Sequence, residues 1–354
     1  MPEPILPSPD LGLAWRPITH DDLETWHSLV QTIEAHDQPS ERYDQDDLID
    51  TLIGGSYKEP QRDSLIGFDA TGGARAFGHL TLLPATTLLR VYFYGGVHPD
   101  WRRRGIGREV LRWQTERAHE ALAAAGANDN SSATGLPWRI AVSHEEKLAD
   151  RSAMCEAAGY SPIRWFHEMF RPLRGDDSPQ VPDVRAPNGL ELAPWTEDID
   201  QSVRLAHNEA FAHHWGSQPR DVEAWATYTI GHRTFRRDWS RVVLDPSTPD
   251  ADGSPAVAGY VASHAYTQDW DAKGYTQGWI DLIGVRPAWR GRGLAPAMLS
   301  ASLGAHVHAG MDAAGLEVDT GNATGALDLY TGMGFVVERT SVCWALESPD
   351  ATGL

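Results

Sequence analysis

The positions of hydrophobic residues along the first half of the chain predict alternating strands and helices. Between residues 21 and 35 apolar side chains recur every three or four positions, and Thr19 just before them is a favourable N-cap residue. Runs rich in β-branched and aromatic residues predict strands, whereas an apolar stripe after Gly105 predicts a long helix. The elements expected here are strands at 13–17, 64–68, 74–83, 88–97, 138–142 and up to Pro172, and helices at 21–35, 105–125 and 145–158.

The same order of elements returns in the second half, after a segment at 174–188 that is rich in Pro, Asp and Ser and has no apolar periodicity. We expect strands at 190–194, 242–244, 256–264, 279–285, 316–320 and towards Leu346, and helices at 196–212, 222–230, 294–309 and 324–331. A chain of 354 residues is long enough for two domains. We therefore predict a first domain at 1–173, a linker at 174–188 and a second domain at 189–354.

The most informative stretch lies between the expected strand at 279–285 and the helix that begins near Leu294. Its sequence is Val285-Arg286-Pro287-Ala288-Trp289-Arg290-Gly291-Arg292-Gly293-Leu294-Ala295. Glycines let a backbone approach a ligand closely, and the first N–H groups of a helix have no partner within the helix. These N–H groups and the helix dipole together favour an anion at this place. The stretch therefore predicts a phosphate site formed by residues 290–295.

A second copy of this pattern begins 188 residues earlier, at Val97. It reads Val97-His98-Pro99-Asp100-Trp101-Arg102-Arg103-Arg104-Gly105-Ile106-Gly107. Both copies share the pattern Val-x-Pro-x-Trp-Arg-x-Arg-Gly-x-small. Solenoid repeats are only about 20–50 residues long, so a repeat at this distance indicates duplication of a whole domain. A second phosphate loop is therefore expected, with Val97, Arg102, Arg104, Gly105 and Gly107 in it.

Two common phosphate-binding motifs do not fit these loops. A Walker loop would end in Gly-Lys-Ser/Thr, and a dinucleotide fingerprint needs a third glycine and an acidic residue about 20 positions further on. The pattern Arg-x-x-Gly-x-Gly/Ala after a Val-x-Pro strand end instead resembles motif A of the Gcn5-related N-acetyltransferase (GNAT) superfamily. The resemblance implies an α/β fold with a mixed sheet flanked by helices, here as two tandem GNAT domains. It also implies that the loops bind the pyrophosphate of acetyl-coenzyme A, and that the backbone of Ile283, Gly284 and Val285 pairs with the pantetheine arm.

The segment at 316–335 resembles a second GNAT motif, Asn-x-x-x-Ala-x-x-x-Tyr-x-x-x-Gly-Phe. Asn322, Ala326 and Tyr330 occupy its first three fixed positions. The resemblance implies that Asn322 and Ala326 belong to the coenzyme site, at a strand end near the pantetheine arm. It also implies that Tyr330 lies near the thioester sulfur.

The first half departs from this second motif. When Gly159-Tyr160 is aligned with Gly334-Phe335, Cys155 stands opposite Tyr330 and Lys147 stands opposite Asn322. We therefore expect the chemistry in the second half of the chain. The first half would be structural, would help to shape the substrate cleft, or would hold coenzyme A without turning it over.

Acyl transfer from a thioester to an amine needs one group that accepts the amine proton and one that protonates the leaving thiolate. Tyr330 is the expected general acid, and its motif context favours this over an ordinary buried tyrosine. Asp281 interrupts an otherwise apolar strand, whereas Phe93 stands at its position in the first half. Asp281 is a candidate general base, a candidate binding group for a cationic substrate, or simply a partly exposed strand acid. His264 is a second candidate for the base.

Composition narrows the function classes further. The net charge of −19 argues against nucleic acid as a partner. It would attract a cationic amine, although solubility explains such a charge without any substrate. Two cysteines are too few for a disulfide framework and fit a reducing cytoplasm. The sequence predicts no signal peptide and no membrane span, and its histidines lack the spacing of metal ligands, so we expect a cytoplasmic protein without a metal.

These inferences lead to an N-acetyltransferase that uses acetyl-coenzyme A and the primary amine of a small molecule. The alternatives are a protein amino-group acetyltransferase and a non-catalytic acyl-coenzyme A-binding or regulatory protein. Within the superfamily, the mycothiol synthases have the same two-domain plan with the active site in the second half. A mycothiol precursor is therefore a candidate acceptor beside aminoglycosides, polyamines, amino-acid derivatives and protein amino groups. Residues 212–230 and 266–278 are expected to shape the acceptor pocket, in a monomer or a homodimer.

Overall fold

The computed structural model describes residues 5–52, 59–83, 87–127, 135–175, 178–250, 253–322 and 325–351. The chain divides into two compact units. Unit 1 comprises Met1–Arg164 together with Ser341–Leu354, and unit 2 comprises Trp165–Thr340. Each unit contains a mixed sheet against which helices pack, which confirms the predicted fold class.

The elements of the first half, in chain order, are β1 (Ala14–Arg16), α1 (Leu23–Asp37), α2 (Gln45–Leu52), α3 (Pro60–Asp63), β2 (Ser64–Phe68), β3 (Ala74–Leu83), β4 (Leu89–Val97), α4 (Ile106–Ala127), β5 (Trp138–Glu145), α5 (Ala149–Ala157) and β6 (Ser161–Pro172). Those of the second half are β7 (Glu191–Pro194), α6 (Asp200–Ala210), α7 (Val222–Trp225), β8 (Arg241–Pro249), β9 (Pro255–His264), α8 (Trp270–Lys273), β10 (Gln277–Val285), α9 (Leu294–His308), β11 (Ala313–Asp319), α10 (Ala326–Gly332) and β12 (Val336–Glu347). A π-helical turn, Ala226–Ile230, continues α7.

The two sheets have the same topology. In unit 1 the strand order is β1-β2-β3-β4-β5-β12, and in unit 2 it is β7-β8-β9-β10-β11-β6. In each sheet one pair of neighbours is parallel, β4 with β5 and β10 with β11, and the other described pairs are antiparallel. The parallel pair is therefore at the same place in both units, directly before a glycine-rich loop.

The last strand of each sequence repeat completes the sheet of the other compact unit. The end of β12 pairs antiparallel with β5 in unit 1, from Ser341 opposite Glu145 to Glu347 opposite Arg139. In the same way, β6 pairs with β11 in unit 2. The bounds expected from the sequence, 1–173 and 189–354, follow the repeat and therefore differ from those of the compact units. That residues 1–173 and 189–354 act as functional domains stays a prediction.

The described part of the predicted linker, residues 174–175 and 178–188, has no regular secondary structure, but side chains of unit 2 hold it in place. The buried guanidinium of Arg171 donates hydrogen bonds to the carbonyl oxygens of Met333 at 2.7 Å, Pro179 at 2.9 Å and Gln180 at 3.1 Å. The backbone N–H of Val184 donates to Ser300 Oγ at 3.3 Å. This part of the chain is thus attached to unit 2.

Most predicted elements are present, with shifted ends. The helix expected at 145–158 is wrong in its first turn, because β5 continues to Glu145 and α5 begins only at Ala149. Helices α2, α3 and α8 were not predicted, because they are only one or two turns long and show too little periodicity. The expected helix start at 324 lies outside the described residues. Within the described residues, no helix combines the length and the apolar character needed to cross a membrane.

Replacing His306 by Leu is expected to make the protein less sensitive to acid. His306 is fully buried on α9, and neither ring nitrogen has a hydrogen-bond partner among the described residues. Burial lowers its pKa to about 3, well below the value of about 6.5 in an unfolded chain. Protons therefore bind the unfolded state preferentially, so its contribution to stability is complete above about pH 6.5 and is lost as the pH falls towards 3.

The measurement is the free energy of unfolding in urea between pH 7 and pH 4. One such group makes stability fall by about 1.4 kcal/mol per pH unit, and His306→Leu should remove that part of the slope. Val307→Ala, an exposed change on the same helix that removes no ionisable group, should leave the slope unchanged. Equal slopes for His306→Leu and the wild type would contradict the prediction.

Candidate active site

An open sheet edge marks the centre of the candidate site in unit 2. The parallel pairing of β10 with β11 covers only Gln277–Ile280 against Ala313–Leu316, although β10 continues to Val285 and β11 to Asp319. Beyond Ile280 β10 pairs only with β9 on its other side. The two parallel strands therefore separate, and backbone groups along the end of β10 lack a strand partner on the β11 side.

The alternation of the backbone decides which of the predicted residues face this open edge. The N–H of Arg286 donates to the carbonyl oxygen of Ala258 in β9. In an antiparallel strand the backbone groups alternate in direction, so those of Gly284 also point towards β9. Those of Ile283 and Val285 point to the open edge. Of the three residues expected to pair with pantetheine, Ile283 and Val285 have the suitable orientation, and Gly284 instead provides space for the ring of Tyr260.

The glycine-rich loop ends in the helix start that the sequence predicted. Gly293 precedes α9 in the left-handed region at φ 81°, which is accessible to glycine at little cost. The N–H groups of Leu294 and Ala295 belong to the first turn and have no intrahelical acceptor. These amides and the positive end of the helix dipole favour an anion at this place.

The arginines of this loop contact the backbone. Arg290 Nε donates to the carbonyl oxygen of Val285 at 3.1 Å, and its Nη2 donates to that of Ala210 at 2.7 Å. Arg292 Nη2 donates to the carbonyl oxygen of Ala288 at 3.1 Å. Both guanidinium groups thereby fix the course of the loop. The phosphate contacts expected of Arg290 and Arg292 stay a prediction, as do those of the backbone at Gly291, Gly293 and the helix start.

The first loop repeats this geometry in unit 1. Arg102 Nε donates to the carbonyl oxygen of Val97 at 3.0 Å, and Arg104 Nη2 donates to that of Asp100 at 3.1 Å. Gly105 adopts φ 85° and α4 begins at Ile106, followed by Gly107. In addition, Arg102 forms two hydrogen bonds with the carboxylate of Asp37, at 2.7 and 2.9 Å. The loops correspond in their hydrogen bonds as well as in their sequence.

A β-bulge places Asp281 beside His264, so that the two candidate bases come together. In the β9–β10 ladder Ile280 pairs with Ser263 and Leu282 pairs with Ala262, so Asp281 is the extra residue. Its Oδ2 lies 3.8 Å from His264 Nε2. The Asp281 side chain is one-third exposed, whereas His264 is buried. Burial lowers the pKa of His264, and the Asp281 carboxylate offsets part of this effect. The imidazole is therefore neutral at neutral pH.

Tyr330 is buried on α10, in the core that also contains Leu294 at the start of α9. Burial raises the pKa of its hydroxyl to about 12, so the group stays protonated over the physiological range. This hydroxyl forms no hydrogen bond with another residue that the structure describes. It is thus an uncharged donor within the apolar core next to the loop.

The remaining predicted coenzyme residues lie after the end of β11 and at the start of α10. Asn322 follows the end of β11, and its N–H donates to the carbonyl oxygen of Asp319 at 3.1 Å. Ala326 is the first residue of α10. The strand end and the helix start that the motif requires are therefore both present.

Unit 1 has a large cavity at the equivalent place but different side chains. The pairing of β4 with β5 ends at Tyr92 and Ala141, after which the strands separate as in unit 2. A cavity of about 810 Å³ opens there, lined by residues that include Val97, Gly105 and Gly107. Phe93 stands at the position of Asp281 and pairs regularly with Leu80, without a bulge.

Sequence reasoning missed the polar residues behind His264. Thr234 Oγ1 lies 2.8 Å from His264 Nδ1 and 2.7 Å from His232 Nδ1. On the same face of the sheet, His207 Nδ1 lies 2.5 Å from the hydroxyl of Tyr260. Only the strand register and the path of the segment after the π-helical turn bring these groups together, so the sequence carried no signal for them.

Comparison with known proteins adds independent information. Residues 202–335 match the model of a family described as acetyltransferase (GNAT) family. The mycothiol acetyltransferase of Mycobacterium marinum is 28% identical over 305 residues, which cover 83% of this chain and 86% of that protein. The mycothiol acetyltransferase of Nocardiopsis dassonvillei is 28% identical over 280 residues, or 72% of this chain and 74% of that protein.

Solved structures match almost the whole chain. A GCN5-related N-acetyltransferase from Sphaerobacter thermophilus superposes with a TM-score of 0.71 at 22% identity, covering 97% of both chains. A tandem GNAT protein from the clavulanic acid biosynthesis pathway superposes with a TM-score of 0.62 at 18% identity, covering 95% of this chain and 98% of the other. At these identities the likeness concerns the fold.

Proposed function

This chain belongs to the GNAT superfamily of acetyl-coenzyme A-dependent N-acetyltransferases, and we propose that it acetylates the primary amine of a small molecule, with the chemistry in unit 2. The observation that carries this proposal is the bulge at Asp281, which sets a carboxylate 3.8 Å from the His264 imidazole beside the open edge of β10. In the first half Phe93 and Leu82 stand at the equivalent register positions. At these two described positions, unit 2 has groups that can receive an amine proton and unit 1 has apolar side chains.

The residues present fit the coenzyme. The first-turn N–H groups at Leu294 and Ala295 would hold its pyrophosphate, because they are unpaired donors at the positive end of a helix. The open-edge backbone of Ile283 and Val285 would pair with the amides of its pantetheine arm, as an extended peptide adds to a sheet edge. Asn322 and Ala326 would border the same arm from the end of β11.

The reaction joins the amine nitrogen to the acetyl carbon while the carbon–sulfur bond breaks. Asp281 and His264 would bind the incoming ammonium and take up its proton, which leaves a neutral nucleophile. An open-edge N–H of β10 would stabilise negative charge on the acetyl oxygen. Tyr330 would donate its proton to the departing thiolate, and the second proton, which the nitrogen loses as the amide forms, would restore the tyrosine through solvent. The net products are an amide, a thiol and one proton.

For unit 1 we propose coenzyme binding without turnover. Val97, Arg102, Arg104, Gly105 and Gly107 form its loop, and the cavity beside them is large enough for part of a coenzyme. Cys155 lies in the cavity wall at the position that aligns with Tyr330. Burial raises the pKa of this thiol to about 11, so little thiolate forms at neutral pH. Unit 1 would then bind the coenzyme but have no tyrosine at this position to protonate the thiolate.

Mycothiol without its acetyl group is the first acceptor to test. The relatives named mycothiol acetyltransferases match this chain over most of its length, which supports a small amine acceptor of that kind. Because the identity is only 28%, the panel of acceptor amines to be tested also includes other small amines and the amino groups of peptides.

The experiment compares matched variants of the two loops. Acetyl-coenzyme A is titrated calorimetrically into the wild type, Gly293→Asp and Gly105→Asp, and transfer to the amine panel is followed through the thiol released. The added carboxylate of Gly293→Asp should repel the pyrophosphate and abolish transfer. Gly105→Asp should remove a separate binding event and leave transfer in unit 2 in place.

Gly189→Asp provides the control for backbone strain, because Gly189 also has a left-handed φ, at 87°, and has open space around it. Its binding and transfer should equal those of the wild type. If Gly105→Asp abolished transfer and Gly293→Asp did not, the assignment of chemistry to unit 2 would be wrong. Binding without transfer to any amine would favour the non-catalytic alternative.

A further inference from the structure

The hydroxyl of Thr234 connects the imidazole rings of His264 and His232. Thr234 Oγ1 lies 2.8 Å from His264 Nδ1 and 2.7 Å from His232 Nδ1. The backbone N–H of Thr234 also points at His232 Nδ1, at 3.4 Å. A nitrogen that accepts from an N–H carries no proton itself, so the Thr234 hydroxyl must donate to His232. Its oxygen is then the acceptor for a proton on His264 Nδ1.

This chain of hydrogen bonds selects one tautomer of His264. With its proton on Nδ1, the ring presents the lone pair of Nε2 on the side of Asp281. Nε2 is buried and has no hydrogen-bond partner among the described residues. Its distance of 3.8 Å from Asp281 Oδ2 is too long for a direct hydrogen bond, but one ammonium nitrogen can donate to both atoms. The pair is thus arranged to receive a cationic amine.

The position of Thr234 is itself fixed by the backbone. Its carbonyl oxygen accepts from the N–H of Ala265, and the neighbouring Phe235 forms a bridge with His264 at the end of β9. Tyr266 stacks on the His264 ring, with centroids 5.8 Å apart and an angle of 13° between the planes. The imidazole is therefore contacted on one face by an aromatic ring and at its Nδ1 edge by the Thr234 hydroxyl.

We propose that His264 Nε2 is the atom that takes the proton from the acceptor ammonium, and that Thr234 and His232 are positioning residues that keep this nitrogen unprotonated. The proposal rests on the acetyl transfer proposed above. In the step, the N–H bond of the ammonium breaks and its proton moves to Nε2, giving a neutral amine and an imidazolium. The carboxylate of Asp281 stabilises both the ammonium before the step and the imidazolium after it. The titratable groups around the His264 ring include Asp281, His232 and the stacked Tyr266, and the charge of Arg220 also acts on it.

The first test reads the tautomer directly in the full-length protein labelled with ¹⁵N-histidine. Long-range ¹H–¹⁵N correlation spectra distinguish a protonated from an unprotonated ring nitrogen, and a His264→Asn variant assigns the signals. We expect His264 as the Nδ1–H tautomer in the wild type. Thr234→Val keeps the shape of the side chain but removes the acceptor, and should shift His264 towards the Nε2–H tautomer. An Nε2–H tautomer in the wild type, or no shift in Thr234→Val, would overturn the proposal.

The second test measures acetyl transfer to desacetylated mycothiol, or to the best amine of the panel, as a function of pH. Thr234→Val should lower kcat/KM at pH 7 on the order of tenfold or more, because a proton would occupy the nitrogen that must accept one. The deficit should narrow as the pH approaches the pKa of the amine, where the free base needs no deprotonation. Thr234→Ser, which restores the hydroxyl, should recover most of the rate. A pH-independent deficit would indicate a merely structural role and overturn the proposal.

Ser302→Ala is the matched control. Ser302 Oγ forms a buried hydrogen bond of 2.8 Å with Oγ of Ser263, the residue before His264. This hydrogen bond does not involve Thr234 or His232. This variant should leave the tautomer and the pH profile unchanged. An active wild type with the wrong tautomer would refute this inference alone. If His264 has the expected tautomer but the protein acetylates no amine, the proposed function is wrong, and so is the role of Nε2.

Discussion

Replacing Tyr330 by Phe is expected to lower kcat for acetyl transfer about 100-fold or more, since general acid catalysis by a positioned side chain contributes at least that much. Tyr330 is buried beside the start of α9, and its pKa of about 12 keeps the hydroxyl protonated. Phe retains the ring that packs in this core and removes only the proton donor. The binding of acetyl-coenzyme A should therefore change little. Single-turnover rates and calorimetric titration separate the two effects.

Tyr160→Phe is the control for removing a buried tyrosine hydroxyl. Tyr160 lies in the core of unit 1, and its hydroxyl is 2.7 Å from Thr115 Oγ1. Loss of that hydrogen bond should cost about 1 kcal/mol of stability without a change in kcat. A Tyr330→Phe enzyme with the turnover of the wild type would show that the thiolate takes its proton from elsewhere.

Expressing residues 1–173 alone is expected to give a chain that does not fold stably. Without β12, the edge of β5 loses its partner from Arg139 to Glu145. The core of unit 1 also loses the buried side chains of Val342 and Trp344. Each is worth about 1.5–3 kcal/mol, and the total stability of a domain is only about 5–15 kcal/mol. Thermal unfolding and gel filtration would show an aggregated or non-cooperative fragment.

A chain in which residues 1–164 are followed by a flexible linker and residues 341–354 supplies the missing strand. This chain should unfold cooperatively, because it contains all of unit 1. Coexpression of 1–173 with 189–354 should likewise recover soluble protein. If 1–173 alone unfolded cooperatively at the same temperature as the repaired chain, the strand at 341–347 would not be part of the stable unit.

The parts of the fold that depend on local chemistry could be predicted from the sequence. The strands Ser64–Phe68 and Ala74–Leu83 were placed correctly, and so was the start of α9 at Leu294. Their signals are β-branched runs, turn residues and glycines, all of which act within a few positions. The repeat of Val-x-Pro-x-Trp-Arg further indicated that the same loop would form twice, which the matching hydrogen bonds of Arg102 and Arg290 confirm.

The rest depends on contacts between residues far apart in the chain. The exchange of β6 and β12 left no trace in the sequence, because either strand fits either sheet by its apolar pattern. To predict that Asp281 lies beside His264, one would need the register of β9 against β10 and the bulge between Ile280 and Leu282. The arginines of the loops were expected to hold phosphate, whereas Arg290 reaches the backbone of Val285 and Ala210. Their roles toward the coenzyme stay a prediction.

The strand that completes unit 1 also sets the order in which the chain can fold during synthesis. The ion pair between Arg139 and Glu347 joins residues 208 positions apart, and the β5–β12 ladder has the same long separation. Residues 341–347 are translated after all of unit 2, so unit 1 waits with an uncovered strand while unit 2 is still being made. Unit 2 receives β6 early and can be complete first. The half of the chain that is translated first is therefore the half that finishes folding last.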